Sequence, residues 1–226
     1  LFAVSARAAW DGTVASAYAG GDGSKANPYQ ISNANELAKL AEDVKAGNNW
    51  SRGKYFVLTA DIVINDNLLG NTTSALEGQT AGKLFNPIGT FSSYDSYVPF
   101  MGVFDGQGHT ISGMYQAIFV ANDALFAAVE DAVIKNVCVK DSYIYGGKYC
   151  AGIVSFGVNS QIRNCSFEGT IKSWEWYAAG IAGQLLGDSK VQNCYAKCNI
   201  NAKNYLGGII GIVGKDTILE EGRNIY

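Results

Sequence analysis

Charge is scarce in this chain of 226 residues. Asp, Glu, Lys and Arg make up 16% of it, against about a quarter in an ordinary soluble domain. The charge present has no basic excess, with 17 Lys and Arg against 20 Asp and Glu and a net charge of −3, so there is no electrostatic case for a nucleic-acid partner. His109 is the only histidine, which leaves imidazole chemistry a single position to use. Cys138, Cys150, Cys165, Cys194 and Cys198 form no C-x-x-C pair, and Cys194-x-x-x-Cys198 has no histidine near it; no metal site is expected, and a buried reduced thiol is the expected state. No apolar run approaches the length of about 18 residues that a membrane-spanning helix needs. Glycine is abundant instead, at 27 of 226 residues where about 7% is usual. Little charge and much glycine suit flat strands joined by tight bends.

The stretch from Ile134 to Gly211 says nearly the same thing three times: IKNVCV…CAGIVSF from Ile134, IRNCSF…AAGIAGQ from Ile162 and VQNCYA…LGGIIGI from Val191. Asn136, Asn164 and Asn193 fall 28 and 29 residues apart, Gly152, Gly180 and Gly208 fall 28 and 28 apart, and Tyr149, Tyr177 and Tyr205 keep step with the glycines. An insertion-tolerant period of this kind marks a stacked array. Each unit is a short β-branched or aromatic run, a polar turn and a second short run, so one unit cannot bury its apolar face without the next. Ile162–Thr170 alternates and Ala179–Gly183 is too small and glycine-rich for a helix, so the array is one of strands. With one coil per copy, equivalent residues stack at roughly 4.8 Å and the three asparagines form an internal amide ladder at a bend.

G-I-V-S at Gly152–Ser155, G-I-A-G at Gly180–Gly183 and G-I-I-G at Gly208–Gly211, tied to I-x-N-C at Ile162–Cys165 and V-x-N-C at Val191–Cys194, resemble the GLUG repeat of bacterial surface proteins. Isoleucine stands where that family has leucine, and Ser155 replaces the last glycine of the first copy. The leading segment is similar too: N-P-Y-Q-I at Asn27–Ile31, a helical stretch, then G-K-Y-F-V-L-T-A-D-I at Gly53–Ile62. The resemblance implies a right-handed parallel β-helix, the β-solenoid architecture of pectin-lyase-like folds, and a secreted or cell-surface place in bacteria, often within large adhesin-like or protease-associated proteins. It implies no catalytic residue and no cofactor, since the motif carries none.

One elongated domain is expected over 20–226, with GLUG-like repeats over 124–218 and a leader over 1–19. Ala6-Arg7-Ala8 has the small-x-small form of an export-signal cleavage site, so the mature chain is expected to start near Ala9. From Asn33 the pattern turns helical over 33–47: Leu37, Leu40, Ala41 and Val44 share one face, Asn33 and Glu36 make a capping box, and Gly47 is the stop. A helix there would cap the N-terminal end of the solenoid and block edge-to-edge association. Asn65–Gly82 reads as a long polar loop off the stack. Lys215–Tyr226 starts a further coil near Ile218 without a cap, which predicts a truncated chain or end-to-end contact at the C-terminal edge.

Three constellations invite a functional reading. F-D-G-Q-G-H-T-I-S-G places Asp105 and His109 four apart, but no Ser or Cys is aligned with the imidazole, and Gly106 and Gly108 suit a bend with Asp105 bonding turn amides. A polysaccharide-cleaving β-helix would need acids in register on adjacent coils, whereas Asp141, Glu168 and Glu175 fall at unrelated phases, leaving only the irregular N-terminal acids Asp61, Asp66, Asp95 and Asp105. The third is aromatic. Tyr143, Tyr145 and Tyr149 precede the first glycine pair and Trp174, Trp176 and Tyr177 the second, and alternation sends Trp174 and Trp176 to one face. Tyr143, Tyr145, Trp174 and Trp176 are the candidate ligand-binding residues, while Asn136, Asn164, Asn193, Gly152, Gly180, Gly208, Tyr149, Tyr177 and Tyr205 form the structural ladder. The expected function is a non-enzymatic secreted or surface module binding a glycan or a surface protein. A carbohydrate-active β-helix enzyme and an architectural spacer are the alternatives.

Overall fold

The period read from the sequence is the circumference of one coil. In the computed structural model, which describes residues 9–117 and 123–214, Ile134 pairs with Ile162 and Ile162 with Val191, all in parallel register. The same vertical relation runs Tyr149, Tyr177, Tyr205 and Val154, Ala182, Ile210. The chain is a parallel β-helix. Parallel crossovers are overwhelmingly right-handed, the sense that the GLUG resemblance implies.

Among the described residues the coils present four parallel faces. The first holds six strands: Tyr29–Ile31, Tyr55–Leu58, Val103–Asp105, Val133–Lys135, Gln161–Arg163 and Lys190–Gln192. The second runs through Ile62–Val63, Thr110–Ser112, Cys138–Gly146, Ser166–Ser173 and Tyr195–Ala202, with Tyr115–Gln116 beside it. A short third face of Tyr149–Ala151, Tyr177–Ala179 and Tyr205–Gly207 turns the chain into the fourth, made of Phe126–Glu130, Val154–Val158, Ala182–Leu186 and Ile210–Val213. Alternate residues point inward, and Phe104, Phe126, Ile134, Val139, Ile153, Ile162, Phe167 and Ile181 have no exposed surface in one continuous core.

The repeated glycines have a steric cause. A Cβ on Gly152 would stand 2.4 Å from the Gly180 carbonyl oxygen and 2.2 Å from Phe167 Cγ, and one on Gly180 would stand 2.4 Å from the Gly208 oxygen. Gly152 and Gly180 therefore make room for the backbone of the next coil. The period reports backbone-to-backbone packing at a sharp corner.

The first helix, α1 (Ala34–Lys45), lies at the N-terminal end. Asn33 Oδ1 accepts from Glu36 N at 3.0 Å. The Glu36 carboxylate reaches past the cap residue to Ser32, accepting from its N–H at 2.6 Å and its hydroxyl at 3.1 Å, a displaced form of the reciprocal box. Leu37, Leu40, Ala41 and Val44 are buried in the same cluster as Ile31 and Phe56, the two leucines contributing about 2 kcal/mol each. Gly47 at φ +82 turns the chain away.

The stretch expected as an open polar loop is structured. It holds a 3-10 turn at Leu68–Gly70 and the short helix α2 (Thr73–Glu77), and packs on the second face. Leu68 and Leu76 form a second apolar cluster with Tyr115, Ala117 and Tyr143, and the Tyr115 hydroxyl donates to the carbonyls of Ala75 and Leu76. A second excursion off the stack is a hairpin of Thr90–Ser93 and Ser96–Val98. The cleavage site expected at Ala6–Ala8 and the further coil expected from Lys215 lie outside the described residues.

Candidate functional site

Asn136, Asn164 and Asn193 stand in one column. Asn193 Nδ2 donates to Asn164 Oδ1 at 3.3 Å, Asn164 Nδ2 to Asn136 Oδ1 at 2.9 Å, and Asn136 Nδ2 to Asp105 Oδ1 at 2.9 Å. The carboxylate thus extends the ladder by one rung. All three asparagines are left-handed, at φ +56, +54 and +50, a conformation that Asn tolerates better than other side-chain-bearing residues. The ladder is at a bend but is not internal: Asn164 and Asn193 are exposed at the corner between the first and second faces. Amides bonded to one another offer few free donors, so the column stiffens a turn. Asn164→Ala loses both amide contacts and forces alanine into positive φ, an expected loss of about 2 kcal/mol. Asn164→Gly keeps the turn and is expected to lose about half as much. Chemical denaturation of the two variants separates backbone from ladder.

Asp105 sits at the foot of this column. Lys135 Nζ lies 2.8 Å from its Oδ2 and Gln107 N donates to its Oδ1 at 3.0 Å. Burial opposes its ionisation, but Lys135, Asn136 and the Gln107 amide together hold its pKa below the usual carboxylate value. His109 is engaged elsewhere, with Nδ1 3.2 Å from Asp61 Oδ1. Asp61 also accepts from Thr110 N at 2.9 Å, and that amide contributes most to holding its pKa down. Asp105 and His109 serve two different turns.

The second face corrects the phase assigned to two acids. The register slips between Val139 and Ser142, and the irregularity brings Asp141 beside Glu168 on an open cleft of about 510 Å³, also lined by Lys140, Lys197 and Leu69. Both Asp141 oxygens are occupied, accepting from Leu68 N at 2.7 Å and Leu69 N at 2.9 Å. Its role is to dock the 3-10 turn.

The aromatic candidates divide. Tyr143 is 1% exposed, and Tyr145 is half-buried with its ring edge-on to Tyr143 at 6.5 Å. Tyr143 is therefore corrected from surface ring to core, because the 65–84 excursion lies over it. Trp174 and Trp176, in the bend between the second and third faces, are 44% and 46% exposed. Tyr149, Tyr177 and Tyr205 stack with centroids 5.3 Å and 4.8 Å apart at interplanar angles of 5° and 14°. That stack is on the outside of the third face, Tyr205 being 52% exposed, and Trp176 flanks Tyr177 at 6.4 Å and 27°. Stacked rings hide their faces from solvent and show edges and hydroxyls. Trp174, Trp176 and Tyr205 are the exposed rings of this surface.

The hairpin adds a part that the sequence reading missed. Phe91 packs on Phe156 at 4.3 Å and meets Tyr149 edge-on at 6.0 Å. The Tyr94 hydroxyl donates to Gln184 Oε1 at 3.1 Å and lies 3.1 Å from the Tyr149 hydroxyl. Burial and the Tyr94 hydroxyl push the Tyr149 phenol above its ordinary value, and burial with Glu130 pushes Tyr97 up to about 12. The alternating T-F-S-S-Y-D-S-Y-V at Thr90–Val98, with a polar turn in its middle, was the available signal. The outer aromatic surface thus runs from the hairpin across the third face to Trp174 and Trp176.

The five cysteines are free, with Cys150, Cys165 and Cys194 buried. The Cys165 and Cys194 thiols donate to backbone carbonyls of Arg163 at 3.2 Å and Gln192 at 3.3 Å. Among the described residues no group of three or more His, Cys, Asp or Glu is placed to hold a metal ion, and no helix is long and apolar enough to cross a membrane.

No protein-family model matches the chain, so the GLUG resemblance rests on the quoted motifs. Among characterised proteins, the chain is similar to halomucin of Haloquadratum walsbyi, 30% identical over 164 residues that cover 71% of this chain and 2% of halomucin. It is similar also to an immunoglobulin A1 protease of Streptococcus sanguinis, 27% identical over 226 residues that cover 84% of this chain and 11% of the protease. A crystal structure of a Bacteroides ovatus protein, provisionally described as an immunoglobulin A1 protease, superposes with a TM-score of 0.49 at 20% identity, covering 89% of this chain and 66% of that one. The chain is a β-helical repeat protein that spans a small part of the curated relatives it matches.

Proposed function

We propose that the chain is a non-enzymatic module of a secreted or cell-surface protein and binds a glycan or a surface protein through the corner at Trp174 and Trp176. The observation that carries this reading is the exposure of two neighbouring indoles, at 44% and 46%, on a bend held between stacked coils. Exposed indole faces set on a rigid frame bind sugar rings or apolar side chains at little ordering cost. The GLUG-like motifs support the surface setting. So does the name of the streptococcal relative, whose immunoglobulin target sets its work outside the cell. Proteolysis is not carried over, since the matched stretch is 11% of that protein. The engagement of both Asp141 oxygens by Leu68 and Leu69 weighs against a hydrolytic acid pair on the second face.

A glycan array probed with the wild type and with Trp174→Ala/Trp176→Ala tests the reading. Retention of the wild type on a subset of glycans, weakened at least about tenfold in the double variant, is the expected result, each ring being worth about 1 kcal/mol. Silence from both proteins, on the array and on immobilised surface proteins, would leave an architectural spacer.

A further inference from the structure

We infer that the Trp174–Trp176 corner is built for a carboxylated sugar, a uronic or sialic acid, with Lys148 and Lys203 supplying the charge. The inference rests on the binding role proposed above and names its ligand class.

The placement follows from the register of the third face. Tyr149 lies over Tyr177 and Tyr177 over Tyr205, so the residues just before them are also stacked. Tyr177 N donates to Lys148 O at 2.7 Å and Tyr205 N to Trp176 O at 2.8 Å. Trp174 N donates to Gly146 O at 3.1 Å, and Asn204 Nδ2 to Glu175 O at 3.0 Å. Three successive bends are therefore one layered corner: Gly147-Lys148, then Trp174-Glu175-Trp176, then Lys203-Asn204. With neighbouring layers roughly 4.8 Å apart, the two lysines sit one layer to either side of the indoles, within reach of a sugar lying on them. Lys148 and Lys203 are exposed, and neither forms an ion pair with any described residue.

Two open cations on either side of two open indoles, in a chain of net charge −3, form a local match for a flat apolar ring bearing an anion. Glu175 is the opposing charge. It is half-buried, and its Oε2 is shut from solvent with no hydrogen-bond partner among the described residues. A neutral sugar would use the indoles and leave the lysines idle. An acidic peptide would use the lysines but lacks the continuous C–H face that an indole stacks against.

The test is a titration of the full chain with a galacturonate tetramer, its methyl ester, sialyllactose, lactose and a glutamate hexapeptide, at low and high salt. Each carboxylated sugar should bind about tenfold more tightly than its neutral counterpart at low salt, with the gap closing as screening shortens the reach of the charges. Lys148→Ala/Lys203→Ala should remove the gap and keep neutral-sugar binding; Glu175→Gln should widen it. The uronate and sialate arms tell which acid is preferred. Equal binding of tetramer and ester, lost in the tryptophan variant, would overturn the inference and leave the glycan reading intact. A hexapeptide bound as tightly as the sugars would overturn it as well. No tryptophan-dependent binding of any probe would overturn the inference, and silence on the array and on surface proteins as well would overturn the binding role beneath it.

Discussion

Asp123→Asn is expected to stabilise the chain at pH 8 by up to about 4 kcal/mol, and to do far less at pH 5. Asp123 has no exposed surface, and neither carboxylate oxygen has a hydrogen-bond partner among the described residues. The position a Gly146 Cβ would occupy is 2.1 Å from Asp123 Oδ2 and 3.0 Å from Cys150 Sγ, so the carboxyl is lodged against a glycine and a buried thiol. Burial raises its pKa from the ordinary 3.8 to about 7. The folded chain thus keeps the proton up to about pH 7 while the unfolded chain releases it near 3.8, and stability falls as pH rises between those values. At about 1.4 kcal/mol per pH unit, the loss is complete above pH 7 at about 4 kcal/mol. The Cys150 thiol, pushed up by burial and by Asp123, stays protonated throughout this window. Urea denaturation at pH 5 and pH 8 checks the effect: the wild type should lose about 3 kcal/mol between them, and the asparagine variant little. Equal stability of the wild type at the two pH values would mean that Asp123 has a partner holding its charge.

Gly180→Ala should cost about 3 kcal/mol and lower the melting temperature by roughly 10 °C. The glycine has no unusual φ, so the expected damage comes from contact. An added methyl would stand 2.4 Å from the Gly208 carbonyl oxygen and 2.3 Å from Ala196 Cβ, and both belong to the next coil. The control is Gly208→Ala, where nothing described lies within 4 Å and the cost should be small. Thermal melts of the two variants decide the matter; equal damage would show that glycine is needed at this corner for backbone freedom.

The winding of the chain was legible because Asn, Gly and Tyr recur together, and a coil fold requires a column for each. The period could not say which way a column faces. The asparagine ladder and the tyrosine stack lie on the outer surface, because their side chains sit at corners where alternation no longer assigns inside and outside. Tyr143 was misplaced for a different reason. It alternates like a surface residue of the second face, and only the fold of residues 65–84, with α2 and the 3-10 turn laid across it, puts it in a core. Asp141 and Glu168 meet through a register slip at Lys140–Asp141, which no periodic count can anticipate. The flanking of the indoles by Lys148 and Lys203 is a relation between layers and is invisible along the chain.

The account turns on a division of labour in which the columns hold the coils together and the exposed corner meets the ligand. The direct measurement is a paired one on Trp174→Ala/Trp176→Ala: its melting temperature, and its affinity for the best-retained glycan of the array. The account predicts a melt within about 2 °C of the wild type, since surface substitutions away from packed features stay within about 0.5 kcal/mol, together with binding reduced at least about tenfold. A lowered melt with binding intact would place the tryptophans in the scaffold and contradict the account.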